Sequence, residues 1–302
     1  MEEGAVQIVA NVFHERPLGV PIAIYFYMTG MSAGSFILST LAYGFGMAKF
    51  KPVGKIGVVM AILLLAMAPM NLIADLSQPL RFWHLFPYLN ATSPITYGSF
   101  LLSLYPVNCL IYGFFMYTGR AKLTKIFGLI GIPLAISVHG YTGFILALGK
   151  ARALWNTALM PTYFLVSAMV SGIALMVLVV MVYSRFFAKE KQVNMSLVSD
   201  LGKMLSATIL FDLFLVFSDI AVLLTADQEA HEAARLILVG EFAPYFVGVE
   251  LILGSVIPVI LLMVPATARR VLPVSVACFF AVIGVLAMRY VMVIGGQSVP
   301  LS

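Results

Sequence analysis

The chain has 302 residues, of which 62% are hydrophobic and only 10% charged, with a net charge of +5. A mean hydropathy of +1.03 excludes an ordinary soluble domain and defines an integral membrane protein. The positive charge does not mark a nucleic-acid surface, because it is gathered in the connections between apolar runs.

Residues 1–19 carry Glu2, Glu3 and Glu15 and lack a basic stretch ahead of an apolar core. They do not read as a cleavable signal peptide, so the first apolar run is expected to direct its own insertion. Within them, "QIVANVF" is either a short interfacial helix or an exposed terminus.

Eight runs follow that are long enough to cross about 30 Å of hydrocarbon, which takes roughly 20 helical residues. They lie near 20–47, 56–75, 95–118, 125–148, 161–187, 204–225, 242–264 and 272–295. They are too long for β-barrel strands and do not alternate. With short connections and no polar linker, they predict one all-α, eight-helix transmembrane domain over residues 1–302. "TGMSAGSFIL" in the first run echoes "SAMVSGIALM" in the fifth. Two related four-helix bundles are one reading, and the ordinary recurrence of small residues at helix contacts is another.

Lys49, Lys51, Lys55, Arg120, Lys122, Lys125, Arg185, Lys189, Lys191, Lys203, Arg269 and Arg270 fall in the first, third, fifth and seventh connections. Arg16, Arg81, Lys150, Arg152, Arg235 and Arg289 lie on the other side or within runs. The positive-inside bias therefore predicts a cytoplasmic location for the first group and both termini on the periplasmic side. The outer connection "SQPLRFWHLFPYLNATSPITYG" reads as an interfacial cap, with Ser93-Pro94 suited to an N-cap and first turn of the third helix.

Cys109 and Cys278 sit in separate runs with no CxxC spacing, so no iron–sulfur cluster or zinc site is expected in this chain. Of His14, His84, His139 and His231, only His139 is clearly at membrane depth. A bis-histidine haem is therefore not expected either.

Asp212, Asp219, Glu250 and Arg289 all fall within runs, and together they oppose insertion by on the order of 10 kcal/mol. Either Arg289 neutralises a carboxylate and the acids hold helices together, or the group forms a proton path or ligand pocket. The seven-residue spacing of Asp212 and Asp219 puts them on one helix face, about 10 Å apart along the axis.

Other polar groups gather in the outer leaflet. Tyr141 lies about 13 Å below the rim marked by Lys150. Asp75 closes the second run, Tyr25 opens the first, and Arg81, His84, Arg152 and Trp155 belong to outer connections. An apolar cleft with a few hydrogen-bonding groups near the headgroups suits a quinone: Tyr141 can donate to its oxygen, and Asp75 can accept a proton from a quinol. His139 is about 200° around the helix from Tyr141 and faces elsewhere, in a helix-packing role.

These residues resemble the NrfD-like membrane subunits, which include that of polysulfide reductase. The resemblance rests on "YFYMTGMSAGS", "ADLSQPLRF", "SPITYGSFLL", "YTGFILALGKARALWNTALMPTYFLVSAMVSGIAL" and "MRYVMVIGGQ", in that order over nearly the whole chain. It implies a haem-free subunit of a bacterial or archaeal cytoplasmic membrane, exchanging electrons between menaquinone or ubiquinone and a ferredoxin-like iron–sulfur partner on the outer face. A molybdopterin enzyme or multihaem cytochrome would be the catalytic partner. By the same resemblance Tyr141 holds the quinone ring, Asp75 is the acidic group beside it, and Arg81, Arg152 and Trp155 belong to the outer wall. Tyr25 stands where polysulfide reductase has a quinone-binding histidine, and Ile22 where it has an asparagine. An ion-coupled transporter using Asp212, Asp219, Glu250 and Arg289 is the competing function, and a passive anchor is a third.

Overall fold

The computed structural model describes residues 18–90, 92–186 and 195–298. The "QIVANVF" segment, Arg16, Lys189 and Lys191 lie outside them. Among the described residues every regular element is helical, and eight helices are long and apolar enough to cross a membrane.

The first span is α1 (Val20–Tyr43), followed by α2 (Lys51–Ala74), α3 (Pro94–Tyr117), α4 (Ala121–Ala147), α5 (Met160–Phe186) and α6 (Met195–Thr225). A short helix, α7 (Gln228–Leu238), precedes the seventh span. That span is a π-helical stretch, Pro244–Val256, continued by α8 (Ile257–Met263). A single turn, α9 (Pro265–Ala268), leads to the eighth span, α10 (Val271–Ile294).

Four boundaries differ from the hydropathy reading by four residues or more, among them the start of α4 at Ala121 rather than 125. Helix α1 stops at Tyr43 rather than near 47, because Gly46 adopts a left-handed conformation (φ +76°) that reverses the chain. Helix α2 starts at Lys51 rather than 56, with Pro52 in its first turn where a missing N–H costs nothing. Helix α6 starts at Met195 rather than 204. Its polar first turns add no hydropathy, but they carry Asp200, which pairs with Lys49 in the 3₁₀ turn before α2. Helix α7 was not anticipated. Asp227 caps it by accepting from the Ala230 N–H at 3.1 Å, and it buries Ala230, Ala233, Ala234 and Ile237 on one face.

Helices α1–α4 pack as one four-helix group, and α5, α6, the seventh span and α10 as another. The groups meet where α1 and α4 pack on α5, and α1 on α10. At the α1–α5 crossing, a methyl group on Gly34 would lie 2.7 Å from the Ala168 carbonyl oxygen and 2.8 Å from Gly172 Cα. The two echoing segments thus contact each other, backbone against backbone, which is how small residues bring transmembrane helices close. Within the first group, Ser32 donates to the Ala61 carbonyl at 3.0 Å and Ser39 to that of Gly54 at 2.6 Å. These bonds join α1 to α2 where no water is present to satisfy the hydroxyls.

The alternation of spans gives the bundle two ends. One carries Lys49, Lys51, Lys55, Arg120, Lys122, Lys125, Lys203, Arg269 and Arg270. The other carries Asp75, the 3₁₀ segment Pro79–Leu85, the α4–α5 connection and α7. Helix α3 begins at Pro94 with Ser93 at its N-cap position, although the Ser93 side chain makes no capping bond. In the preceding segment Leu80, Trp83, Phe86, Tyr88 and Leu89 are exposed.

Candidate functional site

At the Asp75 end, Ser137, Gly140, Tyr141 and Phe144 recur at helical spacing and form one face of α4. With Pro94 and Tyr97 at the start of α3 and Pro161 at the start of α5, they line an open groove of about 440 Å³. Apart from Ser137 and the two phenols, its lining is apolar. The Tyr141 ring lies directly over Gly98, in the space a Cβ there would occupy, so a glycine at that position lets the ring lie on the α3 backbone. Tyr25, buried on α1, is within electrostatic reach of the Tyr141 phenol.

The other residues of the anticipated outer wall have different contacts. Asp75 forms the C-cap of α2, and its Oδ2 accepts from the backbone N–H of Gly19 at 3.2 Å, tying α2 to the start of α1. Arg81 is exposed on the 3₁₀ segment. Arg152 Nη1 donates to the Gln297 carbonyl at 3.1 Å, and buried Trp155 donates Nε1–H to the Met292 carbonyl at 2.6 Å. Gln297 in turn accepts from Leu18 N–H at 3.0 Å and donates to the Leu18 carbonyl at 2.9 Å. Arg152, Trp155, Gln297 and Asp75 therefore clasp the start of α1, the end of α2, the α4–α5 connection and the end of α10. Sequence reading missed Tyr97, Ser137, Gly140, Phe144 and Pro161 as groove residues, and Gly98 as the seat of the Tyr141 ring. The i, i+4 step from Ser137 to Tyr141 was the available signal.

A second polar cluster lies deeper. Arg289 on α10 is fully buried, and its Nη2 donates to the Phe164 carbonyl at 2.9 Å and to Ser167 Oγ at 2.8 Å. Its guanidinium stacks over the Phe164 ring at 3.8 Å. Among the described residues it makes no ion pair, so any neutralisation of a carboxylate acts across a gap and not by direct contact. Helix α5 is oriented so that its backbone carbonyl and Ser167 solvate the cation instead.

His139 Nε2 is 2.8 Å from the Phe164 carbonyl and 3.1 Å from Arg289 Nη2. A protonated Nε2 donates to the carbonyl, whereas a bare Nε2 accepts from the guanidinium, so the two contacts demand different tautomers. The imidazole fits because its neighbour on α1 is Gly30, where a methyl group would come within 2.9 Å of Cε1. Tyr163 donates its hydroxyl to Glu250 Oε1, and Ser255 donates to the Glu250 carbonyl at 3.1 Å. Glu250 lies in the π-helical stretch, a rare geometry often found at functional positions. Asp212 joins this cluster, while Asp219, seven residues further along α6, does not line its cavity.

Eight apolar spans define a multi-pass integral membrane protein, and the bundle they form has a groove on its flank and a buried ionisable cluster. The chain belongs to the NrfD polysulphide reductase family, whose model matches residues 9–300. It is 29% identical to a selenate reductase subunit of Mesobacillus selenatarsenatis, over 93% of this chain and 74% of that protein. It is 28% identical to the Hdr-like menaquinol oxidoreductase integral membrane subunit of Archaeoglobus fulgidus, over 94% and 72%. Against a polysulfide reductase polypeptide of Wolinella succinogenes the identity is 27%, over 92% and 93%.

Proposed function

We propose that the chain is the haem-free membrane subunit of a respiratory oxidoreductase complex, exchanging electrons and protons between the quinone pool and an extracytoplasmic iron–sulfur partner. The observation that carries this reading is the Tyr141 phenol in an apolar groove of about 440 Å³. That volume falls within the range of small-molecule sites, roughly 300–1,000 Å³, and its lining suits an aromatic ring with an apolar tail. The groove adjoins the exposed faces of Tyr97 and Phe144, so such a molecule enters from the acyl chains. A menaquinol oxidoreductase subunit among the relatives supports the same substrate class.

In this reading Tyr141 hydrogen-bonds a quinone oxygen, and Tyr25 is the second phenol near the ring. Asp75 shapes the site through the start of α1 and takes up a proton at the rim, and Arg81, Arg152 and Trp155 complete the outer wall. Asp212, Asp219, Glu250 and Arg289 serve proton transfer. The positive-inside bias of the Lys-rich end supports a groove in the periplasmic leaflet of a cytoplasmic membrane. An iron–sulfur subunit and a catalytic subunit dock on that side.

The test uses the assembled complex. Tyr141→Phe removes the hydroxyl and keeps the ring, and it is expected to lower quinone-linked turnover by about 10-fold or more, the effect of one lost hydrogen bond to substrate. Turnover with an artificial electron carrier at the catalytic subunit should be unchanged. Wild-type quinone turnover in this variant would sink the assignment. Ion-coupled transport is a second reading, favoured by the buried acids and Arg289. Solute flux through the chain reconstituted alone would support it.

A further inference from the structure

The deeper cluster surrounds a cavity of about 10 Å³, lined by Ser167, Asp212, Glu250 and Ser255 on its polar side. This is about the space one water molecule needs, and far too little for an organic ligand. Asp212 and Glu250 are 7% and 4% exposed, and each leaves one oxygen, Asp212 Oδ1 and Glu250 Oε2, with no partner. Arg289 Nε and Nη1 are also unpartnered, and Arg289 lies within electrostatic range of both acids. A native interior rarely leaves so many polar atoms together unsatisfied, and a buried water is the ordinary remedy.

We propose that the cavity holds one ordered water between Glu250 and Asp212, and that Glu250 carries a bound proton on Oε2. The hydrogen bonding assigns the oxygen: Oε1 accepts from Tyr163, which leaves Oε2 to donate into the cavity. The charge count agrees. Two ionised carboxylates beside one guanidinium would leave a net negative charge in hydrocarbon, whereas one proton on Glu250 leaves Asp212 and Arg289 balanced. The π-helical backbone contributes by letting Ser255 donate back to the carbonyl five residues earlier, which closes the cavity wall beneath Glu250. The role of this proton rests on the quinone reading. Helix α5 presents Pro161 to the groove and Tyr163 to Glu250 within one turn, so a proton released when a quinol in the groove is oxidised can replace the one on Glu250, which passes through the water to Asp212.

Infrared spectroscopy of the full chain in lipid nanodiscs, without quinone or partner, tests the site directly. At neutral pH a carbonyl stretch of a protonated carboxyl is expected, lost in Glu250→Gln and, because Arg289 then faces a single acid that ionises to balance it, also in Asp212→Asn. A water O–H band that shifts in H₂¹⁸O should disappear with it. Tyr163→Phe, an isosteric change, should shift the carboxyl band by removing the hydrogen bond to Oε1. A band that survives Glu250→Gln, or one that Tyr163→Phe leaves unshifted, overturns the proposal. None of these readouts involves quinone, so a failure here leaves the groove assignment standing, and a failure of quinone binding leaves this site standing.

Discussion

The Tyr141 ring rests on Gly98 so closely that even a methyl group on α3 would displace it. This relationship turns a featureless glycine into the seat of the groove's central phenol. In Gly98→Ala, overpacking of about 1–3 kcal/mol falls on that ring. Affinity of the complex for a quinone analogue should drop by about 10-fold, equivalent to roughly 1.4 kcal/mol. Gly248→Ala is the control, since nothing lies within 4 Å of a methyl group there. Equal losses in the two variants, read by analogue titration, would show that Tyr141 is not the cause.

Trp155 donates to the Met292 carbonyl from a buried position, joining the α4–α5 connection to α10. Trp155→Phe keeps an aromatic ring but leaves that carbonyl unsatisfied, at a cost of about 1–3 kcal/mol. Thermal unfolding in detergent should show a lower midpoint than wild type. An unchanged midpoint would mean that this clasp contributes nothing to stability.

The crossing of α1 and α5 tolerates no side chain. In Gly172→Leu the added atoms meet the Gly34 backbone, and the two four-helix groups must separate. The expected result is little or no folded chain by size-exclusion chromatography after detergent extraction, whereas Gly140→Ala, which meets open space, extracts like wild type. Normal recovery of the leucine variant would remove this contact from the forces that join the halves.

The spans were legible because insertion into hydrocarbon demands long apolar runs, and that demand is written locally. The division into halves was legible only as the echo around Gly34 and Gly172, whose meaning lies in a contact across the bundle. Helix depth and angular position separate Tyr141 from His139 in the sequence, and the structure has one in the groove and the other against Arg289. What the sequence did not show depends on distant partners. The company Arg289 keeps comes from α4 and α5, the π-helical turns around Glu250 carry no residue signature, and Gly98 looks like any small residue on α3. Helix α7 was overlooked for another reason: it is amphipathic and short, so a search for membrane-long apolar runs passes over it.

The double hydrogen bond between Leu18 and the Gln297 amide spans 279 positions of the chain. A ribosome delivers the first partner long before the second. Until Gln297 has been synthesised, the entrance to α1 lacks this bond and has the one from the Gly19 N–H to Asp75. Assembly of this end of the bundle therefore finishes only after translation of α10, and a ribosome that stalls before Gln297 leaves behind a polypeptide with its opening span half anchored.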